Sequence, residues 1–284
     1  LAARPSPDAH VIGITGPPGS GKSSLSSALI GVWRESGRAV GVLAVDPSSP
    51  RTGGALLGDR IRMLRPDGDD AVFIRSLASR GELGGLSPEA GPMSLVMLAA
   101  FDVVVVETVG IGQSETDVSE LADTTCCVVQ PASGDAVQFL KSGIMEVPDL
   151  FAVSKSDLGE LAERTARELT AAIPRRAPGE WAPTVTRVSA RSTAGVADLA
   201  RAFDAHRAWL QAGGKMADRR RIHQARWVLK RLREEFGAHG IDRLGGADGL
   251  VTELVREGGP PLAGHEQLRQ RLLTLYGRTE GEPT

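Results

Sequence analysis

Hydrophobic residues along this chain gather in short unbroken runs rather than in strict alternation. Such runs stand at 11–15, 40–45, 72–74, 103–106, 125–129, 150–153 and 184–188. Most are rich in Val and Ile, the mark of strands covered on both faces. Helix-like stretches fall between several of them, near 23–36, 93–100, 136–146, 158–173 and 194–211. This order predicts an α/β fold, a mostly parallel sheet flanked by helices with ligands at the carboxyl ends of the strands. After Ala212 the pattern changes. Gly213-Gly214 is a break, and Met216–Phe236 is an Arg-rich helix candidate. Within it Ile222, Ala225, Leu229, Leu232 and Phe236 recur at 3, 4, 3, 4 spacing, a seam of a and d positions. Gly237, Gly240 and Gly245-Gly246 end this helix, and shorter helical runs follow near 247–257 and 264–275. The expected division is an α/β domain over 1–212 and a C-terminal helical extension over 213–284. Its seam either folds back on its own domain or serves as a dimerisation arm.

Candidate chemistry begins where the first run stops. Gly16-Pro17-Pro18-Gly19-Ser20-Gly21-Lys22-Ser23, followed by Ser24, completes a G-x-x-x-x-G-K-S phosphate loop between a strand and a helix. In this P-loop NTPase arrangement the helix N-terminus points its amides at the same anion as the loop. Gly16 and Gly21 give the backbone positive-φ freedom, so amides rather than side chains line the cradle. Lys22 can reach the β- and γ-phosphates, and the Ser23 hydroxyl can ligate Mg²⁺.

Four later segments narrow the reading. Asp46, before Pro47 at the end of the second run, is placed to organise Mg²⁺ or its water shell; a turn or cap Asp is the plainer alternative. Val103–Val106 leads into Glu107-Thr108-Val109-Gly110, similar to a Walker B strand entering a D-x-x-G switch with Glu for Asp. There Glu107 can hold a Mg²⁺-bound water and the Gly110 amide can sense the γ-phosphate. Gln113, in the Gly-rich stretch after it, either orients the attacking water or is an ordinary exposed switch residue. Ser154-Lys155-Ser156-Asp157 is similar to the guanine-reading N-K-x-D, with Ser154 for Asn. Asp157 would accept from the N1 and N2 donors of guanine, which adenine lacks, while the Lys155 stem would lie over the base. Ser189-Ala190-Arg191 is similar to the short S-A motif whose backbone N–H meets guanine O6.

Taken together the motifs resemble the MeaB/ArgK family, the metallochaperone-like GTPases associated with methylmalonyl-CoA mutase. The resemblance runs from about His10 to Arg207. It rests on Val45-Asp46-Pro47-Ser48-Ser49-Pro50 continuing into Arg51–Gly54, on Leu57-Gly58-Asp59, and on Glu107–Glu115, where family members carry Glu. Gly134-Asp135 with Gln138, Lys141 and Gly143 extends it. By resemblance, Asp46 and Asp59 belong to the metal and first-switch region, with Asp59 also a candidate catalytic residue, and Glu107 to the second switch. Gly134, Asp135, Gln138 and Lys141 would report nucleotide state to a partner; a plain loop and helix is the other reading. The resemblance implies a Mg²⁺-dependent GTPase, homodimeric, that serves an adenosylcobalamin-dependent acyl-CoA mutase by gating cofactor delivery and helping to eject damaged cobalamin.

Bulk properties agree. In 284 residues, 41% are apolar but only 4% aromatic, so aliphatic side chains must fill the core. A net charge of −2 argues against a nucleic-acid or anionic-membrane partner. No apolar stretch reaches the roughly 20 residues that cross a bilayer, and no signal-peptide pattern opens the chain. Cys126 and Cys127, adjacent in an apolar strand, point to opposite faces and read as core rather than redox or metal residues. A reducing, cytoplasmic setting fits. Rival readings are a nickel-insertion GTPase, which would need clustered soft or imidazole ligands, an ATP-dependent kinase linked to amino-acid transport, and a module that senses GTP without turnover.

Overall fold

The computed structural model describes residues 9–46, 69–78, 87, 89–108, 114–131 and 147–277, with residue 46 and residues 114–116 described in backbone only. The chain divides into two compact units, Leu1–Ala212 and Gly213–Thr284.

In the first unit seven strands form one parallel sheet: β1 (His10–Thr15), β2 (Val40–Asp46), β3 (Val72–Ala78), β4 (Val103–Glu107), β5 (Thr124–Val129), β6 (Leu150–Val153) and β7 (Thr184–Arg187). Their order is β3-β2-β4-β1-β5-β6-β7. Among the described residues its helices are α1 (Lys22–Glu35), α2 (Ala90–Met97), α3 (Ser114–Ser119), α4 (Glu160–Ala172) and α5 (Val196–Ala212). The period-two alternation of a strand sorts its residues between two apolar layers. Ile12, Ile14, Val103, Val105, Cys126 and Val128 pack with Leu25, Leu29 and Trp33 of α1 and Phe203 of α5. Val11, Val104 and Val106 face α2 and α3, while Cys127, Val129, Phe151 and Val153 face Ala162 and Leu169 of α4. The two cysteines therefore lie in opposite layers as expected, and burial pushes the Cys126 thiol well above its usual value.

The edge where strands begin is held by carboxylates. Asp102, Asp123 and Asp149, each just before a strand, accept the amides of Ala39 (2.8 Å), just before the neighbouring β2, and of Val11 (2.8 Å) and Thr125 (2.9 Å) on the neighbouring β1 and β5. Beside them the Thr124 Oγ1 lies 2.7 Å from His10 Nε2 and 2.7 Å from His206 Nδ1. His206 Nε2 faces Asp149 Oδ1 at 3.4 Å, so that nitrogen is assigned the proton. With that assignment the Thr124 hydroxyl donates to His206 Nδ1 and accepts from the buried His10 Nε2.

Several elements differ from the sequence pattern. β3 runs four residues past the predicted 72–74 because it pairs with β2 along its whole length, Val40↔Val72 to Asp46↔Ala78. Helix α3 starts at Ser114, where the hydrophobic pattern predicts no helix. α2 spans Ala90–Met97 rather than 93–100. The predicted helix over 136–146 lies outside the described residues.

The second unit holds α6 (Lys215–Arg243), α7 (Ala247–Glu257) and α8 (Pro261–Gly277). Gly237 breaks α6 as expected: at φ 70° and ψ −177° it separates the stretch that ends at Phe236 from a second helical stretch that runs to Arg243. The seam closes inside the unit: Leu229 and Leu232, with Val228, pack against Ile241, Leu250 of α7, and Leu268 and Leu272 of α8. Ala225 is buried and Ile222 is exposed.

Candidate functional site

β1 occupies the middle of the sheet, and at its carboxyl end the phosphate loop turns. Gly16 takes φ 137°. A Cβ there would stand 2.2 Å from the Val128 carbonyl oxygen of β5, so only glycine lets the loop start this close to its neighbour strand. The Ser20 amide donates to Pro17 O (3.2 Å), and the left-handed Gly21 serves as N-cap of α1 without any side-chain cap. The first α1 bond runs from Leu25 N to Gly21 O, so the Ser23 and Ser24 amides have no acceptor within the helix. Pro18 and Gly19 form the exposed rim, and Lys22 folds across the loop, donating to Gly16 O (2.8 Å) and Pro17 O (3.0 Å). An ammonium already aligned across the cradle suits a polyphosphate.

Glu107 meets this loop because of strand parity. It shares a face with Val103 and Val105, the α1 side, and its register partners are Ile14 of β1 and Ala44 of β2. There it receives a short hydrogen bond from Ser23 Oγ on Oε1 and one from Ser26 Oγ on Oε2 (2.8 Å). Burial raises the Glu107 carboxyl above its usual value, while the two hydroxyls and the Lys22 charge oppose that rise. Thr108 continues past the strand, its amide on Ile14 O (3.1 Å) and its hydroxyl on Thr15 Oγ1 (3.2 Å). Ser26 was not singled out by sequence. Its signal was a hydroxyl three residues after Ser23, on the same, otherwise apolar, face of α1.

The base-reading candidates sit at the carboxyl ends of β6 and β7. Ser154 is buried, and its Oγ donates to Val129 O (3.3 Å), which ties this corner to β5. Lys155 adopts a left-handed backbone (φ 54°) and reaches back to Gly19 O (3.2 Å) and Gln130 Oε1 (2.7 Å). It thereby ties this loop to the phosphate loop, and Gln130 is a second residue that the motifs did not reveal. Asp157, exposed in a short 3-10 turn (Ser156–Leu158), accepts the Ser189 hydroxyl (2.6 Å); that bond, with Arg191 and Lys155 nearby, holds its carboxyl below the usual range. The Ser156 amide donates to Val188 O (3.0 Å), so the two motifs form one corner with Ala190 and the exposed Arg191. Thr193 (φ 57°) lies in the same corner; with Lys155 it makes up the positive-φ residues other than glycine among the described residues. Strained backbone of this kind collects at ligand sites.

The structure thus brings Lys22, Ser23, Ser24 and Glu107 to one sheet edge, with Ser154, Lys155, Asp157, Ser189, Ala190 and Arg191 beside them. Asp46 ends β2 at that same edge, its side chain undescribed. Asp59, Gly110, Gln113, Gly134, Asp135, Gln138 and Lys141 lie outside the described residues. Hydroxyl and carboxylate oxygens are hard donors, the set that Mg²⁺ takes.

A central parallel sheet with this loop and this edge defines a P-loop GTPase. Residues 2–242 match the family model described as methylmalonyl Co-A mutase-associated GTPase MeaB, and the chain belongs to that family. GTPase ArgK of Escherichia coli is 39% identical over 233 residues, covering 80% of this chain and 70% of that protein. The mitochondrial methylmalonic aciduria type A homolog of Mus musculus is 36% identical over 234 residues, covering 80% of this chain and 56% of its own length. Among solved structures, one titled LAO/AO transport system kinase is 29% identical, with a TM-score of 0.64 over 94% of this chain and 82% of its own. Nickel-bound HypB from Helicobacter pylori shares the fold at a TM-score of 0.52 and 19% identity, over 71% of this chain and 88% of its own. No helix among the described residues is long and apolar enough to cross a membrane.

Proposed function

We propose that this chain is a Mg²⁺-dependent GTP hydrolase that acts as a G-protein chaperone for an adenosylcobalamin-dependent acyl-CoA mutase, gating cofactor delivery and removal of damaged cobalamin. The observation that carries the hydrolase reading is the Glu107 carboxylate held against Ser23 at the mouth of the phosphate loop. A bound Mg²⁺ would supply charge neutralisation at the β- and γ-phosphates. Ser23 and Glu107 would hold it, with Asp46 and Asp59 completing the region by resemblance. Lys22 would exchange its loop carbonyls for phosphate oxygens. Asp157 would take the N1 and N2 hydrogens of guanine while Lys155 spans the base. Gln113 and Gly110 would act at the γ-phosphate, and 134–141 would carry its state to the mutase.

The mutase partnership is supported by the family's own description. Phosphoryl transfer asks mainly for positioning, so an isolated switch GTPase turns over slowly until a partner completes its site. The test is hydrolysis of GTP against ATP, with and without a purified cobalamin-dependent mutase. The expected result is weak GTP-selective turnover that rises with the mutase. Equal turnover in both conditions would remove the chaperone reading, and equal use of ATP would remove the guanine reading. A homodimer is proposed on the same resemblance, with sedimentation equilibrium as its check, and a cytoplasmic setting on the core reading of Cys126 and Cys127.

A further inference from the structure

We infer that Ser26 is a positioning residue for the cation site, holding one oxygen of Glu107 so that the other takes the proton of Ser23. The inference rests on the Mg²⁺ reading above and adds a residue to it. Helical Ser and Thr ordinarily return their hydroxyl hydrogen to the carbonyl four residues back. Thr165, Thr170, Thr252 and Thr274 do so here, donating to Leu161 O, Ala166 O, Asp248 O and Gln270 O. Ser23 and Ser26 instead donate across the layer to one carboxylate, an oxygen each.

A serine hydroxyl has one hydrogen and two lone pairs. With its hydrogen committed to Glu107 Oε1, Ser23 offers only lone pairs elsewhere, which is the state a cation needs from a ligand. Ser23 is exposed on the cradle side, whereas Ser26 is fully buried and has no route to a nucleotide. Ser26 therefore acts through Glu107. Without it, Glu107 Oε2 loses its hydroxyl in a buried place, and the carboxylate gains by turning toward the Lys22 ammonium. Oε1 then moves off Ser23, whose hydrogen is released toward the cradle and opposes a cation there. Partners that orient a metal ligand in this way typically change metal affinity by about 10- to 100-fold.

The experiment measures fluorescent GDP binding to the full chain in Mg²⁺ and in EDTA, for wild type, Ser26→Ala, Glu107→Gln and the double variant. The readout is the ratio of the two affinities. We expect Ser26→Ala to cut that ratio about tenfold, and the double variant to fall no lower than Glu107→Gln, because both changes break one chain of contacts. A wild-type ratio in Ser26→Ala overturns the inference, as does a double variant in which the two losses multiply. If Mg²⁺ leaves GDP binding to the wild type unchanged, the cation reading itself fails, a result distinct from the other two.

Discussion

Gly16→Ala tests how the phosphate loop is seated. The added Cβ would lie 2.2 Å from the Val128 carbonyl oxygen and 3.0 Å from its carbon, and the residue would be held at φ 137°. Backbone is the obstacle, so no side-chain rotation relieves it. The forbidden φ costs about 1–3 kcal/mol and the forced shift of β5 about 1–3 kcal/mol more. Gly19 gives an internal control. Its φ of 76° is also left-handed, but an added Cβ meets nothing within 4 Å. Gly19→Ala should therefore cost only the backbone part, less about 0.4–1 kcal/mol returned by stiffening the unfolded chain. The unfolded-chain part is common to both, so the two variants should differ by the β5 shift, about 1–3 kcal/mol. At roughly 2–4 °C per kcal/mol for a unit of this size, that is about 2–12 °C in melting temperature by calorimetry. Gly16→Ala should also lose GDP binding, because the loop can re-form only off its strand. Equal melting temperatures for the two variants would refute the reasoning, since β5 would then not constrain position 16.

Three further outcomes follow from the same geometry. Thr124→Val keeps the shape but removes the hydroxyl between His10 and His206; loss of two 2.7 Å bonds should cost about 2–4 kcal/mol in urea denaturation with an unchanged slope, and wild-type stability would argue against the bridge. For the metal-free protein, the fold favours protonated Glu107, because burial raises its pKa above the ordinary 4.5. That contribution is whole below 4.5 and is lost as pH rises through the folded value, so Glu107→Gln in EDTA should flatten the fall in stability across that window; a slope identical to wild type would contradict it. Asp157→Asn should lower GTP affinity at least about a hundredfold and favour xanthosine triphosphate, whose C2 oxygen accepts the amide hydrogen; undiminished GTP binding in a competition assay would exclude Asp157 as the base reader.

Much of this molecule was legible from local pattern. A buried parallel strand must be apolar on both faces, so its sequence betrays it without reference to neighbours; β1, β4, β5 and β6 were read that way. The phosphate loop was equally plain, because its glycines answer a local backbone demand. Less visible were features whose partner is distant in sequence. Nothing near Ser26 says that its hydroxyl passes over its own helix to Glu107, 81 residues away. Only the sheet order, with β4 beside β1, and the parity that turns Glu107 toward α1 bring them together. The α6 seam makes the complementary point. Its spacing established an apolar face, but spacing does not name what covers the face, and folding of α7 and α8 decided that. Sequence alone thus determined the class of fold and the residues of its phosphate loop, because strand burial and loop glycines are local requirements. Tertiary structure decided which hydroxyls grip Glu107, how Lys155 joins two loops and how Thr124 comes to lie between two buried histidines, because each is a contact between segments that only packing brings within reach.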